Sequence, residues 1–208
     1  MTFAKVEERR GADVVIAVKQ PERCKTRLAP LLGEVVRIEL VRSMLAAVLS
    51  AARSAQTVYQ RLVVSPVRDQ IPADIPIHRD SGECLNEALQ QAHGALRRTG
   101  CRELVVLPAD LPRITAAEID RLVRAGRKSG FAIAPDAAGA GTNALYIGSA
   151  QPFHFQFGPD SYHLHVQQAQ RLGLRPQVLQ LAGFAFDVDS PADLELLGDR
   201  RWLAHWCA

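Results

Sequence analysis

Short apolar runs rich in β-branched residues alternate along this chain with stretches whose apolar positions recur at helical spacing, and this alternation restricts the fold more than any other feature. The extended runs are Asp13–Val18, Arg61–Ser65, Ile75–His78, Glu103–Leu107, Phe131–Ala134, Leu145–Gly148 and Pro176–Leu181. Between them the spacing predicts helices. The first runs from Gly33 to about Arg53, with Leu40, Val41, Met44, Leu45, Val48 and Leu49 on one face. A second carries the stripe Leu85, Ala88, Leu89, Ala92 and Leu96, and Gly100 is placed to end it. A third begins at the capping pattern Thr115-Ala-Ala-Glu118 and reaches about Arg127; a fourth covers Pro159–Leu172. The expected architecture is a three-layer α/β/α domain whose sheet is mostly parallel, with ligands beyond the carboxyl ends of the strands. A chain of 208 residues, 48% apolar, suits one domain over 1–208. Residues 1–12 then form a charged, flexible N-terminal extension, and Trp202 and Trp206 mark a terminal helix over Arg200–Ala208.

Several classes are excluded on composition. A net charge of +3 gives no basic stripe for nucleic acid. No apolar run approaches the roughly 20 residues of a membrane span, and the charged segment before Asp13 lacks the core of a secretory signal. Cys24, Cys84, Cys101 and Cys207 are dispersed, which argues against a zinc site or disulfide framework and for a reducing, cytoplasmic setting. His163 and His165 lack the spacing of a helical metal pair and are read as structural or solvent-facing.

Three groups of residues are equipped for chemistry. Lys19, Arg23, Lys25 and Arg27 place four cations in the loop after the first strand, close to a helix start at about Gly33, which suits a polyphosphate; the alternative is a solvated basic loop. Asp110 ends the most strand-like run, held between Pro108 and Pro112. Asp187 and Asp189 face the same way if their segment is extended, and adjacent carboxylates call for a cation. Hard oxygen donors without a soft partner favour Mg²⁺. The alternative is that Asp189 or Ser190 only caps the helix starting at Pro191. Phe157-Gly-Pro-Asp-Ser161 offers free amides and a hydroxyl at a helix start. Gly139-Ala-Gly-Thr-Asn143 adds a turn that permits close backbone approach, with the Thr142 hydroxyl available to an oxyanion.

In order along the chain, Val18-Lys19, Lys25-Thr-Arg-Leu-Ala-Pro30, Leu85-Asn-Glu-Ala-Leu89, Leu107-Pro-Ala-Asp-Leu-Pro112, Gly141-Thr-Asn-Ala-Leu145, Phe157-Gly-Pro-Asp-Ser161 and Asp187-Val-Asp-Ser-Pro-Ala-Asp-Leu194 resemble the CofC/FbiD guanylyltransferases of coenzyme F420 biosynthesis. The resemblance runs from Val14 through Leu197. It implies a Rossmann-like fold of the nucleotide-diphospho-sugar transferase type. It also implies transfer of GMP from GTP to 2-phospho-L-lactate, phosphoenolpyruvate or 3-phospho-D-glycerate, with release of pyrophosphate. By the same resemblance Asp110, Asp187 and Asp189 hold Mg²⁺, and Lys19, Lys25 and Arg27 the triphosphate. Asn86 serves the guanine side, and Thr142, Gly158 and Ser161 the acceptor acid; Lys25, Arg27 and Asp110 are the catalytic set. Where family members commonly have glycine before Leu-Asn, this chain has Cys84.

Lys-Thr-Arg-Leu-Ala-Pro is shared with neighbouring transferases, so action on a sugar phosphate or molybdopterin is the enzymatic alternative. A nucleotide-binding module without turnover is the non-enzymatic one. The expected partners are GTP and a small phosphorylated acid, not nucleic acid or membrane; a homodimer is compatible with the sequence, which leaves the oligomeric state and the identity of the acid open.

Overall fold

The structure, a computed structural model, describes residues 11–18, 25–69, 71–80, 84–148 and 153–198. Among the described residues, seven strands form one sheet in the order β3-β2-β1-β4-β6-β5-β7. They are β1 (Ala12–Ala17), β2 (Val58–Ser65), β3 (Ile77–Arg79), β4 (Glu103–Pro108), β5 (Phe131–Pro135), β6 (Thr142–Gly148) and β7 (Gln177–Val178). β1 pairs in parallel with both β2 and β4, β2 with β3, and β5 with β7. Strand β6 is the exception, antiparallel to β4 and to β5. The mostly parallel α/β sheet expected from the alternation is therefore observed.

Helices α1 (Glu34–Ser54), α2 (Leu85–Arg98), α3 (Ala116–Ser129) and α4 (Ser161–Arg171) lie between strands, and α5 (Ala182–Ala185) and α6 (Pro191–Leu197) follow β7. The two faces of the sheet are covered by different helices, as strand alternation requires. Val14 and Ile16 of β1 join Leu45 and Val48 of α1 and Ile119, Leu122 and Val123 of α3 in one core. Val15, between them, faces the other way and packs with Ala88, Leu89 and Ala92 of α2 and Ala169 of α4. Each fully buried Leu or Ile contributes roughly 1.5–3 kcal/mol, so these layers supply most of what holds the domain together.

Boundaries differ from the sequence expectation in ways that matter for function. β6 starts at Thr142 rather than Leu145 because Ala144 pairs with Ala134 and Thr142 with Pro135 of β5, which carries the ladder past the polar residues at its start. α4 starts at Ser161 rather than Pro159, since Asp160 takes a left-handed conformation (φ 58°) that no helix continues through. The loop expected over Lys19–Pro30 contains a 3₁₀ turn at Thr26–Leu28. Residues 1–10 of the expected extension and the expected terminal helix over Arg200–Ala208 lie outside the described residues.

Candidate active site

The chemistry-bearing residues gather at one edge of the sheet. Asp110 follows the carboxyl end of β4, which is tied to β1 by the Ala109 amide donating to the Ala17 carbonyl at 3.1 Å. Because β6 is antiparallel to β4, its first residues, Thr142 and Asn143, lie at this same edge. A cavity of about 370 Å³ opens elsewhere, at the amino ends of β1 and β4, lined by Gly11, Asp13, Cys101, Glu103, Arg127 and Tyr146. There the Glu103 carboxylate takes two hydrogen bonds of 2.7 Å from Arg127 and one of 3.0 Å from Tyr146, an arrangement that closes on itself.

Lys25 is the hub of the edge. Its backbone is left-handed (φ 54°) and its side chain is only 6% exposed. The ammonium donates to Asp110 Oδ2 and to Asp189 Oδ1, each at 2.6 Å. Burial works to lower the lysine pKa, and the two carboxylates outweigh it, so the group is held charged above its usual range. The turn that presents Lys25 is pinned by Leu28, wholly buried against Leu40, Val41, Met44 and Val188. Arg27 projects from the same turn and is exposed. Lys19 and Arg23 lie outside the described residues.

Val188 faces that core, which turns its neighbours Asp187 and Asp189 toward Asp110 and Lys25. The Asp187 carboxyl is pushed above the usual range, first by burial and then by the charges of Asp110 and Asp189; a hydrogen bond of 3.3 Å from Asn143 opposes the shift only partly. The helix cap and the charged site turn out to be separate devices. Ser190 and Asp193 form a reciprocal capping box on α6, with Asp193 Oδ2 accepting from Ser190 N at 2.7 Å, while the Asp189 carboxylate is left to Lys25.

The segment before Asp187 is anchored twice. The Arg113 guanidinium stacks 4.0 Å above the Phe186 ring and donates to the Leu196 carbonyl, joining the loop after Asp110 to the Asp187 segment. Glu118, the carboxylate of the α3 capping box with Thr115, also accepts from the Gly183 amide at 2.7 Å. A Cβ on Gly183 would lie 2.2 Å from Glu118 Oε2 and 2.8 Å from the Arg113 carbonyl oxygen. Replacing Gly183 by Ala is therefore expected to lower stability by about 1–3 kcal/mol and to reduce activity more than a surface control does. A urea midpoint unchanged from wild type would show that the contact yields at no cost.

Asn143 was not singled out as a site residue from sequence. It is buried, and its amide donates to the Phe184 carbonyl at 2.8 Å as well as to Asp187. Beside it, Thr142 Oγ1 lies 3.0 Å from Nδ1 of His165 on α4. The two side chains face opposite layers, and not in the sense plain alternation gives. The pairing of β5 with β6 slips between Ala134 and Pro135, whose partners are Ala144 and Thr142, so Asn143 is an extra residue. This bulge turns Thr142 toward α4 and Asn143 toward α5. It links the carboxylate group to a second cluster.

That second cluster holds Gly158 (φ +134°), with open space where a Cβ would stand, and Ser161, buried as the first residue of α4 with its amide on the Gly158 carbonyl at 3.2 Å. Asn86, at the start of α2, accepts from the Phe157 amide at 2.7 Å and donates to the Phe157 carbonyl at 3.0 Å. Both ends of its amide hold the Phe157 backbone, fixing the segment that leads into Gly158. His165 is fully buried rather than solvent-facing, while His163 is the exposed member of the pair and binds Asp160 at 2.7 Å.

The structure thus brings Lys25, Asp110, Asp187 and Asp189 into one group and Thr142, Gly158 and Ser161 into another, with Asn86 fastened behind the latter. Among the described residues no three His, Cys, Asp or Glu side chains form a ready-made metal cage. What the first group offers is a set of hard oxygen donors around a buried ammonium. Also among the described residues, no helix is long and apolar enough to cross a membrane.

Residues 12–198 match the family model described as guanylyl transferase CofC like. The chain is 38% identical over 189 residues to the phosphoenolpyruvate guanylyltransferase of Sphaerobacter thermophilus, covering 88% of this chain and 90% of that one. It is 32% identical over 193 residues to the 2-phospho-L-lactate guanylyltransferase of Methanocorpusculum labreanum, covering 88% and 84%. Among solved structures, it is similar to a Desulfovibrio desulfuricans G20 protein assigned to the nucleotide-diphospho-sugar transferases (TM-score 0.72, 18% identity, 89% and 85% covered). A nucleotidyl transferase from Methanothermobacter is also similar (TM-score 0.62, 17% identity, 94% and 99% covered). At these identities the two structures speak for the fold, which is that of the nucleotide-diphospho-sugar transferases.

Proposed function

The chain belongs to the CofC-like guanylyl transferase family, and from that premise we propose that it transfers GMP from GTP to a three-carbon phosphorylated acid, releasing pyrophosphate, as a step in coenzyme F420 biosynthesis. The observation that carries the reading is the Lys25 ammonium set 2.6 Å from both Asp110 and Asp189 with the raised Asp187 carboxyl beside them. This concentrates charge of both signs at the ligand-binding edge of the sheet. Its donors are all carboxylate oxygens, and Asp187 carries repulsion that Asn143 relieves only in part, a set that fits Mg²⁺. Asp110, Asp187 and Asp189 would hold the ion, which when bound neutralises phosphate charge.

The acceptor already carries a phosphate, so no side chain has to generate a nucleophile. One of its phosphate oxygens bonds to the α-phosphorus of GTP as the bond from that phosphorus to the β-phosphate bridging oxygen breaks, and pyrophosphate departs with the electron pair. Catalysis then consists of positioning and of charge neutralisation. Lys25 and Arg27 serve the triphosphate, a role that the sequence resemblance extends to Lys19, and the Lys25 charge stabilises the negative charge growing on the leaving group. Thr142, Gly158 and Ser161 receive the acceptor acid, and Asn86 serves the guanine side by holding Phe157 in place. A cytoplasmic setting agrees with the dispersed placement of Cys24, Cys84, Cys101 and Cys207 along the chain.

The test is pyrophosphate release from the purified chain with Mg²⁺ and GTP, comparing phosphoenolpyruvate, 2-phospho-L-lactate and 3-phospho-D-glycerate, with ATP and CTP in parallel. Release with GTP and at least one of the acids is expected. Release with a sugar 1-phosphate and none of the acids would overturn the assignment of the acceptor site.

A further inference from the structure

His165 sits where an ordinary core residue is expected, yet both ring nitrogens are engaged and the pattern has a direction. The Gln156 amide donates to Nε2 at 3.0 Å, so that nitrogen carries a lone pair. Burial lowers the pKa of the ring to about 4, so it is neutral near pH 7. A neutral imidazole accepting at Nε2 must carry its proton on Nδ1, and Nδ1 lies 3.0 Å from Thr142 Oγ1. The threonine hydroxyl therefore accepts from the histidine, and its own hydrogen is left to be donated elsewhere.

The ring is held in this orientation on all sides. It is wholly buried, edge-on to Phe157 at 4.9 Å and tilted against Phe153 at 5.7 Å between centroids. It stands one helical turn after Ser161, so the two occupy one face of α4. The bulge in β6 brings Thr142 to that face.

We propose that His165 is a positioning residue that locks the Thr142 hydroxyl as a hydrogen-bond donor to the acceptor acid. The proposal rests on the reading of Thr142, Gly158 and Ser161 as the acceptor site. A hydroxyl free to rotate presents a lone pair to an anion as readily as its hydrogen; one whose lone pair is already occupied by Nδ1–H presents the hydrogen. The gain appears in acceptor binding and leaves GTP binding alone.

The experiment is steady-state kinetics of the full chain with Mg²⁺, GTP and the acid it turns over, for wild type, His165→Phe, His165→Asn, Thr142→Val and the Thr142→Val/His165→Phe double variant. Asn keeps a donor near the place of Nδ1, whereas Phe fills the aromatic-lined space without one. Expected are an acceptor KM within about threefold of wild type for His165→Asn and about ten- to a hundredfold higher for His165→Phe, with the GTP KM unchanged. On the Thr142→Val background, His165→Phe should add nothing further. An equal rise for the Asn and Phe variants, or the same factor with and without Thr142, overturns the proposal by showing that His165 only packs. Should His165→Phe fail to fold, long-range ¹H–¹⁵N correlation on the wild type still decides, since an Nε2–H tautomer contradicts the geometry. A wild type silent with every acid is a different failure: it removes the acceptor-site reading, and this proposal falls with it.

Discussion

Replacing Asp110 by Asn is expected to reduce GMP transfer by about 10³-fold or more in kcat while the protein folds as before. The change is nearly isosteric, at a residue held between Pro108 and Pro112 beyond the end of β4, with a side chain 28% exposed. It removes one of the two carboxylates that grip Lys25 and one of the donors proposed for Mg²⁺. Removing a single preorganised charge-stabilising group from such a site costs about 3–4 kcal/mol of transition-state stabilisation, a factor of about 10² to 10³, and the weakened hold on the ion carries the loss to about 10³ or beyond. The folding cost is much smaller: the group is part-exposed, and Lys25 keeps Asp189. Pyrophosphate release at saturating GTP and Mg²⁺, read beside a thermal melt, measures both. Turnover within threefold of wild type would remove Asp110 from the active site.

Lys25→Met should have the second-largest effect, and on a different parameter. Met keeps most of the stem and discards the charge, so Asp110 and Asp189 lose the buried ammonium that offsets them, beside an Asp187 carboxyl that their charges already raise. The triphosphate loses a cation at the same stroke, and kcat/KM for GTP is expected to fall about 10²- to 10³-fold. Lys25→Arg should recover less than a tenth of the lost activity. One point charge reaching two carboxylate oxygens at 2.6 Å from a left-handed backbone is not the geometry of a planar guanidinium. Stability should drop by about 1–2 kcal/mol: the lysine is buried, but its partners are 28% and 54% exposed and water relieves part of the loss. Full activity in Lys25→Arg would show that any cation at this place suffices.

These two variants probe residues legible in the sequence, and the reason is local chemistry. Asp110 stands out because proline brackets it just past the uninterrupted apolar run Leu104–Leu107. Asp187 and Asp189 stand out because a period of two in an extended segment turns both the same way, and the burial of Val188 between them is the structural form of that period. The capping boxes at Thr115 and Ser190 were equally readable, since each is a contact three residues long. At Ser190 the sequence offered the cap and the charged site as alternatives. In space both exist, because Asp193 serves the cap and Asp189 the lysine.

What the sequence by itself determined is the strands and the longer helices, their three-layer arrangement and the edge at which the proposed site residues collect. Each of these follows from apolar periodicity and from short-range turn and cap chemistry, which act between residues near one another in the chain. Tertiary structure alone decided how the pieces meet. The antiparallel course of β6 carries Thr142 and Asn143 to the carboxyl edge, and a one-residue bulge then sends one toward His165 and the other toward Asp187. The same packing placed Lys25 between carboxylates 85 and 164 residues away. Strand direction and register are fixed by pairing with distant partners, and a slip of one residue exchanges the two faces of a strand. No local pattern carries that information, so the role of Asn143 and the burial of His165 appear only once the sheet has closed around them.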